Sequence, residues 1–303
     1  MAIGIDPLID FACKKLLGSP EHPAITLHFL NAVLKGFPQV VEVEILNPIV
    51  EKDFENDKYS IMDVRASDAY GHRFNIEIQR TMPVALRERL VFYAASQLIE
   101  QIGAGEGYER LRPSIGVCIL DVVLFRQVDD IHIDFRLMNE KNLVKLTDHL
   151  QIHLLELPKY ALPSHNERLT DPIEKWCYFF RQAPVLTAKE LAARLDEPVF
   201  FEAIGVLEMI ARDPEQRRLY EDRLKMERDA RANIDYALYE GRERGREEGR
   251  EEGERIGEIR GKVKVLRDLL QEMLPTDEEL KQYSQQQLSD LEVDFRRRLR
   301  DRI

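Results

Sequence analysis

The sequence predicts a mixed α/β fold, in which helices flank a partly antiparallel sheet and a helical C-terminal region follows. Three observations support this prediction. Patterns typical of helices and strands follow one another over residues 10–125 in the order helix, helix, strand, β-hairpin, helix, strand. Residues 114–125 are densely apolar and of strand length, as expected for a strand buried on both faces. Beyond about residue 166 the composition favours helices.

The boundaries of the elements follow from periodicity and from helix-stop residues. Gly36 ends one predicted helix, and Pro38 reinforces the stop. Helices are predicted within residues 1–20, 24–35 and 85–103, and strands at 40–50, 114–125 and 152–160. The chain is expected to have three parts: a sheet domain over residues 1–165, an accessory helical region over 166–235, and a glycine-repeat helix with a basic C-terminal helix over 236–303.

The composition limits the class of protein. The 303 residues are 44% apolar and 33% charged, with a formal net charge of -11. This apolar fraction permits a buried core and excludes global disorder. The negative charge counts against a protein that coats nucleic acid nonspecifically. It does not exclude an enzyme acting on nucleic acid, because a bound metal ion is often the largest charge in such a site.

The cysteines and the N-terminus indicate the compartment. The three cysteines, Cys13, Cys118 and Cys177, are far apart and form no CxxC pair, so reduced thiols are expected rather than a disulfide framework or zinc ribbon. The opening residues lack a basic segment followed by a long apolar run, and no apolar stretch reaches bilayer length. We therefore expect a cytoplasmic protein without a membrane span.

Residues 60–80 are the most informative stretch, because they read as a β-hairpin around a three-residue loop that ends in Gly71. If Asp68 pairs with His72, Asp63 lies opposite Glu77. Side chains alternate along a strand. One face then carries Asp63, Arg65, Asn75, Glu77 and Gln79, and the other carries Met62, Val64, Ala66, Phe74, Ile76 and Ile78.

Two opposed carboxylates repel each other, so this face needs a compensating group. Mg²⁺ is suitable, because it accepts oxygen ligands from one or two carboxylates and retains waters and a substrate phosphate. The alternative from the pattern alone is a solvated outer face, on which Arg65 neutralises Asp63 and Glu77.

Several blocks of the chain resemble one family. Asp63, followed fourteen residues later by Glu77-Ile78-Gln79, resembles the D…(D/E)xK core of PD-(D/E)XK nucleases. The segments DFACKKLLG, FLNAVL, VEILNP, IMDVRASDAYGHRFNIEIQ, RLVFYAASQLIEQI, ILDVVLF, WCYFF and GREEGREEGE are similar, in order, to the recombination-promoting nuclease (Rpn) and putative transposase branch. The resemblance implies a restriction-endonuclease-like fold and DNA cleavage that depends on Mg²⁺, with Mn²⁺ or Ca²⁺ as alternatives.

Carried onto this chain, the resemblance makes Asp63 and Glu77 the metal ligands. Gln79 occupies the position where the superfamily usually has lysine, and an amide can position water or phosphate but cannot act as a base. The missing positive charge would come from Lys14 or Arg65. Asp10 is either a supporting carboxylate or a helix cap.

Other candidate residues have both a functional and a structural interpretation. Arg89 and Tyr93 lie one turn apart, and the pair could contact phosphate. The alternative is that Arg89 is an exposed arginine beside a core tyrosine. Gln97 and Gln101 share that helical face and have the same two interpretations. His149 and His153 have i, i+4 spacing, but the local sequence predicts the start of a strand rather than a helix, which argues against a zinc site. Trp176 is expected in the core. The C-terminal segment RRRLR could bind phosphate or be a solvated helix end.

A glycine recurs every fourth residue from Gly241 to Gly261, with arginine and glutamate between. Each glycine costs a helix roughly 1 kcal/mol relative to alanine, so the helix is marginal by itself. It is either a solvated linker or a self-association helix that forms a homo-oligomer.

The function expected from the sequence is a metal-dependent DNA endonuclease that promotes recombination or transposition. The alternative is a catalytically inactive module that binds DNA or oligomerises. A complete cut-and-paste transposase is the weaker idea, because no helix-turn-helix with a basic face is evident.

Overall fold

A computed structural model describes residues 2–46, 64–164, 167–273 and 275–301. The chain divides into two compact units, Met1–Met226 and Glu227–Ile303. Within these described ranges the helices are α1 (Asp10–Leu17), α2 (Pro23–Val33), α3 (Leu86–Ile99), α4 (Pro172–Gln182), α5 (Ala188–Leu195), α6 (Pro198–Arg212), α7 (Pro214–Leu269), α8 (Asp277–Gln282) and α9 (Gln285–Arg300). The strands are β1 (Glu44–Ile45), β2 (Val64–Ser67), β3 (Arg73–Gln79), β4 (Ser114–Leu120), β5 (His132–Met138) and β6 (Lys145–Glu156).

The six strands form one mixed sheet in the order β1-β2-β3-β4-β6-β5. Strands β3, β4 and β6 are parallel, whereas β1, β2 and β5 join their neighbours antiparallel. The prediction of a mixed, partly antiparallel sheet flanked by helices is therefore confirmed. Because the central strands are parallel, their carboxyl ends lie at one edge of the sheet, which is where ligands commonly bind in such folds.

Helices cover both faces of the sheet. One face contributes Phe74, Ile76 and Ile78 to a large core with α1, α2, α4 and α6. On the other face, α3 packs through Leu86, Leu90 and Ala94 against β4 and β6 in a second cluster. Alternation along each strand is what allows one strand to contribute to both clusters.

The hairpin that joins β2 to β3 has the predicted register. Val64 pairs with Ile76 and Arg65 with Asn75. Gly71 has φ +82°, as the loop requires. Asp68 stabilises the turn, because its Oδ1 accepts hydrogen bonds from the backbone N–H groups of residues 70 and 72, each at 3.0 Å.

Several boundaries differ from the prediction. Strand β4 ends at Leu120 rather than residue 125, and β6 begins at Lys145 rather than 152. Strand β5 was not predicted as a separate element, because it is an edge strand with many half-exposed or exposed positions and so has no dense apolar run. Only Glu44–Ile45 of the strand predicted at 40–50 is strand, and residues 47–50 lie outside the described ranges.

The accessory helical region contributes to the main core. Trp176, Phe179 and Phe200 are fully buried and belong to the same cluster as the side chains of α1 and α2. The three-part division of the chain stays a prediction. None of the helices in the described part of the chain combines the length and apolar character needed to cross a bilayer.

The second unit has its own small core. Val263 of α7, Leu270 directly after it, Leu280 of α8, and Leu288 and Phe295 of α9 pack together. Helices α8 and α9 each begin with a capping box, in which an N-cap hydroxyl and the residue three positions later exchange hydrogen bonds. The glycine repeat lies in α7, and a Cβ added at any of its six glycines would meet open space.

Candidate active site

Glu77 lies near the carboxyl end of β3, on the face that α3 covers. Its exposure is 2%, and that of Asn75, two residues earlier on the same face, is 4%. Phe74, Ile76 and Ile78 alternate with them into the main core. The alternative of a solvated outer face is therefore wrong for Glu77. An ionised carboxylate at this depth requires compensation by hydrogen bonds or an opposite charge.

Asn75 is the polar neighbour of Glu77. Its Nδ2 donates a hydrogen bond to Glu77 Oε1 at 3.3 Å. Its Oδ1 is buried, and no donor among the residues that the structure describes reaches it. The pair therefore places a carboxylate and an amide oxygen side by side in the interior, and both are oxygen ligands of the kind that hard divalent cations prefer.

The surroundings of Glu77 across the sheet are apolar. Its partner on β4 is Cys118, and the partner of Cys118 on β6 is Leu154. Both belong to the cluster beneath α3. A charge in this environment is less screened than at the surface, so any cation near Glu77 would interact with it strongly.

Gln79 is the last residue of β3 and is half-buried. Its backbone carbonyl accepts a hydrogen bond from the N–H of Asp121 at 2.9 Å. The next residue, Arg80, lies 3.1 Å from a carboxylate oxygen of Asp6 and 3.4 Å from one of Asp121. Burial raises the pKa of the Asp6 carboxyl, and the charge of Arg80 opposes that shift. Sequence reasoning missed Arg80, although it directly follows Gln79 in the motif.

Lys14 lies on α1, which packs against β3. Its Nζ is 3.6 Å from Oδ1 of Asp10, and both side chains are largely buried. The N-cap of α1 is Ile9, with no side-chain capping bond, so the helix-cap role considered for Asp10 is wrong. The structure brings these two residues together as an ion pair one helical turn apart.

Arg65 forms an ion pair with Glu100, the residue that follows α3. Arg89 lies over the ring of Tyr93, with 5.6 Å from its Cζ to the ring centroid, and both are half-buried. This favours the structural reading of the pair, although Arg89 remains accessible.

Gln97 on α3 and Gln101, which lies just after its end, have structural roles. Gln97 is buried, donates to the carbonyl of Phe74 at 3.4 Å and accepts from Ser114 Oγ at 3.3 Å. Gln101 bonds to both backbone groups of Arg112. These hydrogen bonds attach α3 to the sheet above the Asn75–Glu77 pair.

The remaining candidates have structural partners. His149 and His153 lie on strand β6, as predicted; His153 Nδ1 is 3.0 Å from Nε2 of His132, and His149 Nε2 is 3.2 Å from the carbonyl of Leu111. Trp176 is buried, as predicted, and donates to His28 Nδ1 at 3.0 Å. In the C-terminal basic segment, Arg296, Arg297 and Arg298 pair with Glu292, Asp294 and Glu272.

Asp63 lies outside the described residues, as does Met62. The predicted pairing of Asp63 with Glu77 therefore stays a prediction, although the neighbouring pair Val64–Ile76 has the expected register. Within the described ranges, no group of three or more histidine, cysteine, aspartate or glutamate side chains is arranged to hold a metal.

Comparison with known proteins agrees with this architecture. The model of the family described as "PD-(D/E)XK nuclease family transposase" matches residues 7–237, about three-quarters of the chain. No curated protein and no solved structure matched. The family indicates a nuclease- or transposase-like function with DNA as the substrate. The matched segment contains the whole β2–β3 hairpin, both flanking helical layers and the buried Asn75–Glu77 pair, and the chain belongs to the PD-(D/E)XK nuclease family transposases.

Proposed function

We propose that this chain is a Mg²⁺-dependent endonuclease that hydrolyses phosphodiester bonds in DNA during recombination or transposition. The observation that carries the proposal is the buried Asn75–Glu77 pair near the carboxyl end of β3, inside the segment that matches a nuclease family. A carboxylate buried beside an amide oxygen costs free energy that a bound cation would offset.

The donor groups fit a hard divalent cation. Glu77 supplies a carboxylate, and Asn75 Oδ1 is a buried oxygen that accepts no hydrogen bond from the described residues. Asp63 would add the second carboxylate. Mg²⁺ is the preferred ion for an all-oxygen set that leaves room for water and phosphate, and Mn²⁺ or Ca²⁺ could replace it.

Several residues of the chain would have different roles in the hydrolysis. When bound, Mg²⁺ would polarise the scissile phosphoryl oxygen and acidify the attacking water. Asn75 holds the Glu77 carboxylate in one orientation through its 3.3 Å hydrogen bond. Gln79, half-buried at the end of β3, could orient water or phosphate by hydrogen bonding but cannot take the proton. Lys14 and Arg65, and also Arg80, which follows Gln79 in the chain, are candidates for the positive charge that the superfamily lysine would supply.

A DNA-binding module without cleavage is the second candidate. One observation counts against cleavage: Lys14 and Arg65, the cations considered as replacements for the superfamily lysine, each form an ion pair with a carboxylate. A lysine or arginine already paired in this way is less available to activate a water or to stabilise the reacting phosphate.

The test is plasmid cleavage at low salt by the wild type and by Asp63→Ala, with Mg²⁺ or with EDTA. We expect nicking or linearisation by the wild type with Mg²⁺ alone, and none by Asp63→Ala. Glu140→Gln, an exposed carboxylate on the connection between β5 and β6, is the control and should cut like the wild type.

Absence of cleavage by a well-folded wild type would reject the nuclease and leave the binding module. Equal cleavage by the wild type and Asp63→Ala would place the site elsewhere or reveal a contaminant. Thermal unfolding with and without Mg²⁺ gives an independent readout, because a bound ligand stabilises the native state.

Two further expectations remain proposals. A homo-oligomer would form through the glycine repeat of α7, whose glycines have open space around them, and light scattering on the wild type and Gly249→Leu would test it. A cytoplasmic location would suit the three cysteines, all of them buried.

A further inference from the structure

An open apolar pocket of about 200 Å³ lies between α3 and the β5–β6 hairpin, beside the segment that follows β4. The side chains that line it are those of Arg87, Leu90, Val91, Leu124, Phe125, Phe135, Ile152 and Leu154. Phe135 and Val91 remain 39% and 49% exposed. Apolar surface that stays open to water at this size commonly marks a binding site.

The chemistry of the pocket suits a flat aromatic ligand. The rings of Phe125 and Phe135 have centroids 5.2 Å apart and planes inclined at 40°. The guanidinium carbon of Arg87 lies 4.7 Å from the centroid of Phe125. Aromatic rings beside an arginine are the groups on which proteins stack nucleobases, since every base presents a π face.

The pocket lies on the same face of the sheet as Glu77. Glu77 pairs with Cys118, which pairs with Leu154 in the wall of the pocket. Strands are ~4.8 Å apart, so Glu77 and the pocket wall are separated by about 10 Å. This corresponds to about three nucleotide steps at the rise of B-form DNA.

Helix α3 begins at a point in the sequence between Glu77 on β3 and the pocket residues of β6. Leu86, its first residue, follows Gln79 by a short connection, and the N-cap residue Ala85 makes no side-chain capping bond. Within the described residues no side chain caps the backbone N–H groups of the first turn, which lies at the positive end of the helix dipole and carries Arg87 and Arg89. Arg87 lines the pocket, so a phosphate group next to a base in the pocket would lie near this turn.

We propose that the pocket binds one unstacked nucleobase of the DNA substrate, held against the phenylalanine rings beside Arg87. The inference rests on the proposed function for the identity of its substrate. A base removed from the stack near the cleavage point would place the scissile phosphate relative to Glu77 and would favour mismatched or single-stranded DNA, whose bases are easier to unstack.

The experiment measures equilibrium binding of labelled single-stranded oligonucleotides in EDTA, so that neither metal binding nor cleavage affects the measured affinity. One oligonucleotide carries thymine bases and the other is abasic throughout. Phe135→Ala should weaken binding of the thymine strand roughly five- to 100-fold, the effect of losing one base–aromatic stack, and leave abasic binding unchanged. Phe201→Ala, an exposed phenylalanine on α6, is the matched control and should change neither.

Arg87→Ala provides a second variant that removes no core side chain. It should weaken binding of both strands, because Arg87 also lies in the turn assigned to the phosphate backbone, but it should weaken binding of the thymine strand more. The proposal is overturned if the wild type binds both strands equally, or if Phe135→Ala loses affinity equally for both. It is also overturned if Phe135→Ala only converts an oligomer to a monomer, which would make the pocket a contact between copies. If Phe135→Ala loses affinity only for the thymine strand but the wild type does not cleave plasmid, the nuclease proposal is rejected and the base-binding pocket stands. If the wild type cleaves plasmid with Mg²⁺ but its binding does not depend on the base, only the pocket proposal is rejected.

Discussion

The carboxyl ends of β3 and β6 each bury a glutamate on the face covered by α3, and the two environments differ. Glu156 is fully buried, with Oε2 2.9 Å from Lys159 Nζ and Oε1 accepting the Phe125 N–H at 3.0 Å. Glu77 has beside it the amide of Asn75, whose Nδ2 donates to Glu77 and whose Oδ1 is buried and accepts no hydrogen bond from the described residues. Glu156 therefore lies beside a lysine, as expected of a carboxylate that stabilises the fold, whereas Glu77 lies beside an amide oxygen, and carboxylate and amide oxygens together are the donors that hard divalent cations prefer.

The largest effect is expected for Glu77→Gln. This change keeps the volume and removes the charge, so the protein should fold while Mg²⁺-dependent cleavage falls roughly 1,000-fold, since metal assistance contributes several kcal/mol. Cleavage rates and circular dichroism measure the two properties. Near-wild-type cleavage by Glu77→Gln would show that Glu77, like Glu156, has only a structural role, and that the two glutamates do not differ in function.

Lys159→Ala should act on the fold instead. It leaves Glu156 buried without its cation, and loss of one member of a buried pair costs about 3 kcal/mol of unfolding free energy. Urea unfolding measures this change, with the exposed Lys189→Ala as control. Cleavage per folded molecule should be unchanged; a loss of cleavage in a fully stable variant would move Lys159 into the active site.

Asn75→Ala tests whether the amide positions Glu77. Removing a group that orients a metal ligand typically costs roughly 10- to 100-fold in metal affinity or activity. The Mg²⁺ concentration for half-maximal cleavage should rise accordingly. Asn142→Ala, on the exposed connection between β5 and β6, should leave the titration unchanged. A loss of stability with an unchanged Mg²⁺ titration would show that Asn75 only fills space.

The smallest effect concerns His153, near the end of β6. Burial, and then the charges of His132 and Arg136, lower its pKa to about 3, while Asp134 opposes the shift; burial also lowers the pKa of His132. The unfolded chain therefore binds protons that the folded chain does not, and stability present above about pH 6.5 is lost as the pH falls toward 3.

One such proton changes the unfolding free energy by about 1.4 kcal/mol per pH unit inside that window. His153→Gln should have the shallower slope between pH 6.5 and 5 when urea unfolding is repeated across the range. Parallel slopes for the wild type and His153→Gln would show that the histidine pair does not control acid stability.

Local patterns predicted much of the hairpin. The alternation of apolar and polar residues and the glycine at the loop were sufficient for the register Arg65–Asn75, because both depend on neighbours in sequence. Strand β5 was missed because its side chains are partly exposed and supply no apolar run. Arg80 was missed because its partners, Asp6 and Asp121, are far away in sequence.

The sequence by itself determined the order of the central elements, the hairpin register and the placing of Asn75 and Glu77 on one face. These follow from chain periodicity and turn chemistry. Only the tertiary structure decided that α3 covers this polar face, that Lys14 and Arg65 pair with carboxylates, and that an apolar pocket opens beside β6. Burial and ion pairing depend on which distant segments pack together, and no local pattern records that choice.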